Sequence, residues 1–409
     1  MRVPWSLLAI DPHLTDDPAA AIFSAALFDS LYVVNAAGDP IPALAESLPE
    51  SDGAGGLRVH MREGLVTAHG SAVDARDAVL AIARARSHGA SAWLAALPVP
   101  KREGERSFTF ATDDPQALAR TLASPLTAIV PLAFDPARPD GTGPFRAERK
   151  DASLILTRNS HAALGPSLLD EIHVSPAADL ADSLRAFESG ADDLGWLGSG
   201  LHEPRAGAKA FDAGAVGWAL LVVGRDGGSW DAPGIAQRVA DGISPSRLSY
   251  LAIGQPWSQT SEQGWSGAPI DLLVSMSSPW LVELARAVAA AISRPSHEVT
   301  VRPISAADFA SRRRSRSFAL AIDMTRSFAP GGFASLVALA SADPSSSAAD
   351  LVRHPPKVAE VSPRVLTRTL RLGVLGEIRV QGGRIPDLAL PTGRPGIDWG
   401  TATRTKRKT

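Results

Sequence analysis

Short strand-like segments alternate with longer helical patterns along this chain, and that alternation constrains its fold more than any other feature. Residues 171–174 and 193–197 read as strands on either side of a helical pattern at 180–189. A second strand–helix–strand unit follows within residues 270–302. Strands joined through a helix usually lie parallel in one sheet and cross over in a right-handed sense. The sequence therefore predicts an α/β architecture that contains parallel crossovers.

Length and composition bound the number of domains and the class of partner. The 409 residues are 45% hydrophobic and 21% charged, an ordinary globular profile that allows about two or three folding units. A formal net charge of -2 provides no strong field that would attract nucleic acid or an anionic membrane. The chain contains no cysteine, which excludes disulfides, thiol nucleophiles, cysteine-based metal sites and an acylated cysteine.

The sequence carries neither a membrane span nor a recognisable leader. No segment reaches the roughly 18 apolar residues that a membrane-spanning helix needs. The start, Met1–Trp5, lacks the charged region and long apolar region of a signal peptide. We therefore expect either a cytoplasmic protein or a leader that lies upstream of Met1.

Motifs for catalysis and nucleotide binding are weak or missing. No glycine-rich phosphate loop or dinucleotide fingerprint occurs, and residues 264–267 lack the second glycine of a nucleophile elbow. The nine histidines lack helical metal spacing, and the basic run at 312–316 has no interleaved aromatic residues. The sequence therefore predicts no catalytic residue, no metal site, no cofactor and no nucleic-acid partner, and it favours binding over chemistry.

Several short motifs occur in the order in which one family of binding proteins carries them. They are Ile10–His13 (IDPH), Gly38–Ser47 (GDPIPALAES), Met61–Gly64 (MREG), Asp140–Phe145 (DGTGPF), Leu169–Ile172 (LDEI) and Phe187–Gly190 (FESG). This ordered set resembles the extracellular solute-binding proteins of family 5, which include the dipeptide-, oligopeptide- and nickel-binding proteins of ABC importers. Each motif is weak alone, but together with similar segments at 236–248 and 271–323 they cover nearly the whole chain in order.

The resemblance implies a two-lobed, class II periplasmic-binding-protein-like fold of the α/β class with a central ligand cleft. Lobe I would comprise residues 1–220 and 360–409, and it would include a small subdomain at about 48–130. Lobe II would comprise residues 221–359. The resemblance also implies that residues 74–77 and 141–144 are scaffold and not ligand contacts.

Lobe II is expected to be shortened. After Phe333 the family continues with a helical segment, whereas here residues 345–347 and the pair Pro355–Pro356 are expected to lead directly into the last return to lobe I. A reduced lobe can still bind a solute. It is also compatible with a member that has lost transport and serves regulation or assembly.

The function that the resemblance implies is that of an extracytoplasmic, or periplasmic, solute-binding subunit of an ABC importer. Such a protein holds a peptide or another small solute between its lobes, acts as a monomer and docks on an ABC permease in the membrane. Two alternatives remain open on the sequence alone. One is a cytoplasmic ligand-sensing domain of the same fold, and the other is a degenerate scaffold protein without a working cleft.

The stretch from Asp323 to Pro330 departs from the family pattern in a way that bears on the solute. Family members that bind free peptides place an acidic residue shortly before an Asp–Pro step, and Arg326 stands about where that acid would be. A guanidinium binds a carboxylate or phosphate bidentately, so the comparison implies an acidic or amine-free solute. Two alternatives stay open: Arg326 lies outside the cleft, or Asp323 supplies an acidic anchor in a shifted register.

Three of the nine tryptophans are candidates for the wall of the cleft. Trp5 lies near the end of the first strand, Trp196 follows the strand of the first crossover, and Trp218 lies in the expected hinge strand. Aromatic side chains at such places line ligand clefts or fill the core. Both interpretations remain open at the level of sequence.

Overall fold

The computed structural model describes residues 1–196, 205–254, 264–356, 362–391 and 396–405. The described strands are β1 Arg2–Val3, β2 Tyr32–Val34, β3 Pro40–Pro42, β4 Glu50–Ser51, β5 Leu57–His60, β6 Lys101–Arg102, β7 Ser107–Phe110, β8 Phe145–Lys150, β9 Ser153–Arg158, β10 Glu171–Pro176, β11 Leu194–Trp196, β12 Lys209–Val223, β13 Ile270–Ser275, β14 Val299–Ile304, β15 Leu320–Arg326, β16 Leu372–Arg384, β17 Leu388–Ala389 and β18 Thr403–Arg404. The described α-helices are α1 Pro18–Leu27, α2 Ala75–Ser87, α3 Pro115–Thr121, α4 Leu180–Glu188, α5 Ile235–Asp241, α6 Pro279–Ile292, α7 Ala306–Ser315, α8 Gly332–Ser341, α9 Ala348–Arg353 and α10 Pro363–Thr367.

Several helices begin where the local sequence provides a cap. Asp17 precedes α1 and accepts a hydrogen bond from Ala19 N at 2.9 Å, and a proline follows it at the first helical position. Asp74 and Asp77 form a reciprocal capping box at the start of α2. These contacts agree with the expectation that residues 74–77 are scaffold.

Ten strands form one sheet in the order β14-β13-β15-β12-β16-β11-β1-β10-β9-β8. Both predicted crossovers are present and parallel. β10 and β11 lie on either side of β1 and pair with it in parallel, and β13 pairs in parallel with β14 and β15. Below, the β10 end of the sheet means β1 and β8–β11, and the β13 end means β13–β15.

Two long antiparallel strands connect these ends. β12 has 15 residues and β16 has 13, and they pair with each other along most of their length. β16 also pairs with β11, and β12 also pairs with β15. The expected lobe boundary at residue 220 lies inside β12, so the division into lobes remains a prediction.

A separate four-stranded sheet has the order β4-β5-β7-β6 and lies within the segment expected to form a small subdomain. Helix α2 packs against this sheet through contacts with β6 and β7. The alternation of buried and half-buried residues along β5 places one of its faces against a hydrophobic core.

The expectation that the chain leads directly into its last return after Phe333 is wrong. Phe333 lies in α8, and α9 and α10 follow before β16. The reason is the small apolar sequence of α8, whose residues Leu336, Val337 and Leu339 are buried against the rest of the molecule. The proline- and serine-rich segments connect these helices and do not replace them.

The glycines of the motif at 140–145 allow a close approach to the end of α1. Gly143 N donates to Leu27 O at 3.0 Å, and a Cβ added to Gly141 would lie 2.3 Å from Leu27 O. Thr142 Oγ1 donates to Asp29 at 2.9 Å. This motif therefore holds α1 in place, as expected for scaffold.

Within the described ranges, no helix combines the length and the apolar character that crossing a bilayer requires.

Candidate ligand-binding cleft

The segment between β1 and α1 runs from the β10 end of the sheet and contacts the β13 end at two places. At the first place, Ser6 N donates to Ser277 O at 2.8 Å, and Trp280 N donates to Pro4 O at 3.0 Å. Ser277 lies between β13 and α6, and Trp280 lies in the first turn of α6. Backbone hydrogen bonds thus join the segment after β1 to the start of α6.

The second place of contact is formed by the end of β15 and the residues that follow it. Arg326 N donates to Thr15 O at 2.8 Å, and Ser124 Oγ donates to Phe328 O at 2.5 Å. Ser124 and Phe328 are buried, with 0% of their surfaces exposed. Hence hydrogen bonds hold residues 326–328 against the segment before α1 and against the residues that follow α3.

A cavity of about 140 Å³ lies at this second contact. Its apolar lining comes mainly from α1 and β2, and its polar lining includes serines, Asp29 and Arg326. Clefts with apolar walls and a few polar groups are typical of small-molecule sites. The cavity therefore lies where α1 and β2 meet the end of β15 and the residues that follow it.

Arg326 lies at the wall of this cavity and is only 4% exposed. Its Nη1 donates to Pro12 O at 3.3 Å and to Ser24 Oγ at 3.4 Å. Burial lowers the pKa of Arg326 to about 10, and the charges of Asp17 and Asp11 partly oppose that shift. The guanidinium is thus still positively charged at neutral pH, in a position that combines low exposure with access to the cavity.

Asp323 is buried and engaged within the β13 end. Its Oδ2 accepts from Arg313 Nε at 2.7 Å, and its Oδ1 accepts from Met324 N at 2.8 Å. Arg313 also donates from Nη2 to Ala342 O at 2.9 Å. Both carboxylate oxygens therefore have protein partners, and a role of Asp323 in ligand binding remains a prediction.

Two of the three candidate tryptophans belong to one aromatic cluster. Trp5 and Trp196 meet edge to face with 4.5 Å between ring centroids, and Trp280 packs on Trp196 at 5.4 Å. Trp196 Nε1 donates to Arg379 O at 3.2 Å. Within the described residues, Trp5 Nε1 is buried and has no acceptor. The cluster joins the segment after β1 to β11 and α6.

Trp218 lies apart from this cluster, in β12. Its partners across the sheet are Thr325 in β15 and Glu377 in β16, and its side chain is 6% exposed. This strand connects the two ends of the sheet, as expected for a hinge. Contact of any of the three tryptophans with a ligand remains a prediction.

Sequence reasoning missed two acidic residues at the start of α1. Asp16 is exposed, yet burial by the surrounding protein and repulsion from Asp323 raise its pKa to about 6. Burial raises the pKa of Asp17 to about 7, against the stabilising hydrogen bond from Ala19. The charge of Asp323 in β15 thus acts on Asp16 in the segment between β1 and α1. The Asp–Asp–Pro sequence signals only a helix start.

A buried polar cluster fixes the segment that carries these residues. Arg84 binds Asp11 bidentately, with Nη1–Oδ1 at 2.8 Å and Nη2–Oδ2 at 2.6 Å. Arg84 Nη1 also lies 2.7 Å from His13 Nδ1, and His13 Nε2 lies 2.9 Å from Ala128 O. Because the guanidinium only donates and the carbonyl only accepts, His13 is neutral and protonated on Nε2. Burial is the main cause that lowers its pKa to about 4.

Comparison with known proteins gives a family match for one part of the chain. Residues 39–210 match the model of the bacterial extracellular solute-binding proteins, family 5 middle. No curated protein matches the sequence.

Solved structures of binding proteins match the fold over nearly the whole chain. The oligopeptide-binding protein AppA from Bacillus subtilis, in complex with a nonapeptide, has a TM-score of 0.73 and 13% identity, with 99% of this chain and 98% of that chain covered. DppA from Helicobacter pylori, in complex with the peptide STSA, has a TM-score of 0.73 and 14% identity, covering 99% and 97%. NikA from Staphylococcus aureus, in complex with Ni(L-His)2, has a TM-score of 0.71 and 15% identity, covering 98% and 99%.

The structural matches confirm the fold expected from the sequence, and the family model confirms the family resemblance over residues 39–210. At 13 to 15% identity, the structural likeness establishes the fold alone. The chain therefore has the two-lobed α/β fold of periplasmic binding proteins, and its segment 39–210 is a match to family 5 of the extracellular solute-binding proteins.

Proposed function

We propose that this protein binds a peptide or another small solute between its two lobes and delivers it to an ABC permease from outside the cytoplasm. The observation that carries the proposal is the cavity at the contact between β15 and the segment before α1, with the charged Arg326 in its wall. The relatives of known structure were solved with a nonapeptide, a tetrapeptide and a nickel complex. This range supports solute binding in general without selecting a solute.

The same arrangement supports binding without catalysis. Charged side chains on the segments next to the cavity are paired, such as Arg84 with Asp11 and Arg313 with Asp323, and Arg326 in its wall is a protonated guanidinium. A group that acts as a general base or nucleophile must instead be placed to reach a reacting atom. The family whose model matches consists of solute-binding proteins. We therefore propose that the protein is not an enzyme.

A scaffold protein without a working cleft is the second candidate. The observation that favours it is the aromatic cluster of Trp5, Trp196 and Trp280, which is buried between the two ends of the sheet. Side chains that occupy this space reduce the room for a solute. The two candidates differ in whether any solute stabilises the folded protein.

Thermal unfolding in the presence of candidate solutes tests the proposal. The panel contains di- and oligopeptides, small carboxylic acids, sugars and metal chelates. A solute at about 100 times its Kd stabilises the folded state by about 2.7 kcal/mol. With an unfolding entropy of roughly 2.1 cal/mol/K per residue, the 409-residue chain should gain about 3 °C in Tm.

Saturable stabilisation by one class of solute, confirmed by calorimetric titration, would support a solute-binding protein. An unchanged Tm across the whole panel would favour the scaffold. Transport is tested separately, by measuring whether the purified protein stimulates ATP hydrolysis by its permease in lipid vesicles. Binding without such stimulation would refute the importer role and leave solute binding intact.

A further inference from the structure

We propose that the cavity beside Arg326 binds the carboxylate of a small monocarboxylic acid that has a compact apolar body. This inference rests on the proposed function, because it names the class of solute for the same site. It follows from the donors of Arg326, the apolar walls of the cavity and its size. Each of these is a property of this chain's own residues.

The guanidinium of Arg326 has unused hydrogen-bonding capacity. A guanidinium carries five N–H donors. Within the described part of the chain, only Nη1 donates to protein, at the long distances of 3.3 and 3.4 Å to Pro12 O and Ser24 Oγ. No carboxylate of the described residues forms an ion pair with Arg326, although it is 4% exposed. A buried cation without an ion pair is costly, and a bound carboxylate would relieve that cost.

The rest of the cavity is suited to an apolar body. Phe28, Val33 and Val34 contribute apolar lining, together with alanines of α1. The volume of about 140 Å³ is close to the roughly 150 Å³ of an engineered protein cavity that takes up benzene. A branched chain of about four carbons or a six-membered ring therefore fits the space.

The apolar lining also limits the charge of the ligand. A single carboxylate can use the donors of Arg326, whereas a second one would be desolvated against Phe28, Val33 and Val34. Burying a charge without a partner is costly. The site therefore favours a monocarboxylate over a dicarboxylate.

The cavity is also accessible from α1. Ala25 lies in the last turn of α1, lines the cavity and is exposed. A larger side chain at this position would enter the cavity without replacing any buried core residue. Ala25→Leu is thus a substitution that fills the site with little effect on the fold.

The head group of the ligand is tested with four compounds of similar size: isovalerate, isovaleramide, isoamylamine and glutarate. Calorimetric titration of the intact protein should show saturable binding of isovalerate. The amide, the amine and the dicarboxylate should each bind at least about tenfold more weakly, because they lose the charged hydrogen bonds or bring a second charge against apolar walls. Equal or tighter binding of the amine, or no binding of isovalerate, would overturn the inference.

Three variants test the location. Arg326→Met and Ala25→Leu should each weaken isovalerate binding by about tenfold or more, since a charge-assisted hydrogen bond or the space for the body is lost. Ala83→Leu makes the same change as Ala25→Leu at an exposed position of α2, away from the cavity, and should bind like the wild type. If Arg326→Met does not fold, the comparison of Ala25→Leu with Ala83→Leu remains. Equal affinities of these two variants for isovalerate would refute the site.

The two proposals fail in different ways. If a peptide, sugar or chelate raises the Tm while isovalerate does not bind, the ligand class is wrong and the solute-binding function stands. If no solute of either panel binds, both proposals fail.

Discussion

The neutral state of His13 makes the stability of this protein depend on pH in a defined direction. His13 is fully buried between Arg84 and Ala128 O, and its pKa is lowered from 6.5 to about 4. Between these two values the unfolded chain binds a proton at this site and the folded protein does not. The free energy of unfolding therefore falls as the pH is lowered through this window and is regained above pH 6.5.

The size of the effect follows from the two pKa values. One pH unit corresponds to about 1.36 kcal/mol, so the contribution of His13 changes by about 2 kcal/mol between pH 8 and pH 5. It reaches about 3 kcal/mol near pH 4. These magnitudes are large beside the total of about 5–15 kcal/mol that stabilises a typical protein.

The assay is urea unfolding of the wild type and of His13→Gln at several pH values from 8 to 5. Glutamine does not titrate, so the difference in unfolding free energy between the two proteins isolates His13 from the other titrating groups. That difference should shift by about 2 kcal/mol towards the variant as the pH falls from 8 to 5. His161→Gln, at an exposed position, is the control for losing a histidine outside the cluster. A difference that is constant from pH 8 to pH 5 would refute the buried neutral tautomer.

Three further predictions concern the helix start, the glycine motif and the aromatic cluster. Asp17→Asn retains a capping side chain and removes a carboxyl whose pKa is raised to about 7. Because this carboxyl makes the folded wild type bind more protons than the unfolded chain, the wild type should lose stability relative to the variant as the pH rises from 4 to 8. Urea unfolding measures this difference, and an unchanged difference would contradict the prediction. Gly143→Ala places a Cβ 2.5 Å from the backbone carbon of Leu27 and should lower the free energy of unfolding by about 1–3 kcal/mol in denaturant titration. In the control Gly332→Ala, the Cβ meets nothing within 4 Å, and the stability should not fall in this way. Equal effects of the two substitutions would contradict the close approach at Gly143. Trp280→Phe removes an indole N–H that donates to Leu251 O at 2.7 Å, whereas the indole N–H of Trp5 has no described acceptor. In thermal unfolding, Trp280→Phe should therefore lower the stability by about 1–3 kcal/mol more than Trp5→Phe does. The reverse order would contradict this assignment.

Local features of the sequence determined much of the secondary structure. The capping box at Asp74 and Asp77 predicts the start of α2, because the groups that satisfy the first turn lie within four residues of one another. The crossover at residues 171–197 is equally local, since its hydrophobic period changes from strand to helix and back. The helices after Phe333 could not be predicted in this way, because prolines and serines are typical of loops, whereas α8 is stabilised by burying Leu336, Val337 and Leu339 against the rest of the molecule.

The chemistry of the site depended on contacts between segments that are far apart in the chain. Arg326 meets Pro12 and Ser24 across about 300 residues, and the pKa of Asp16 is raised partly by Asp323, which the sequence separates by a similar distance. Burial and Coulomb energies depend on distances in space, which the order of residues does not contain. The sequence by itself determined the family resemblance, the crossovers and the helix caps. Only the tertiary structure decided which charges are buried, which tryptophans pack together and where a cavity remains.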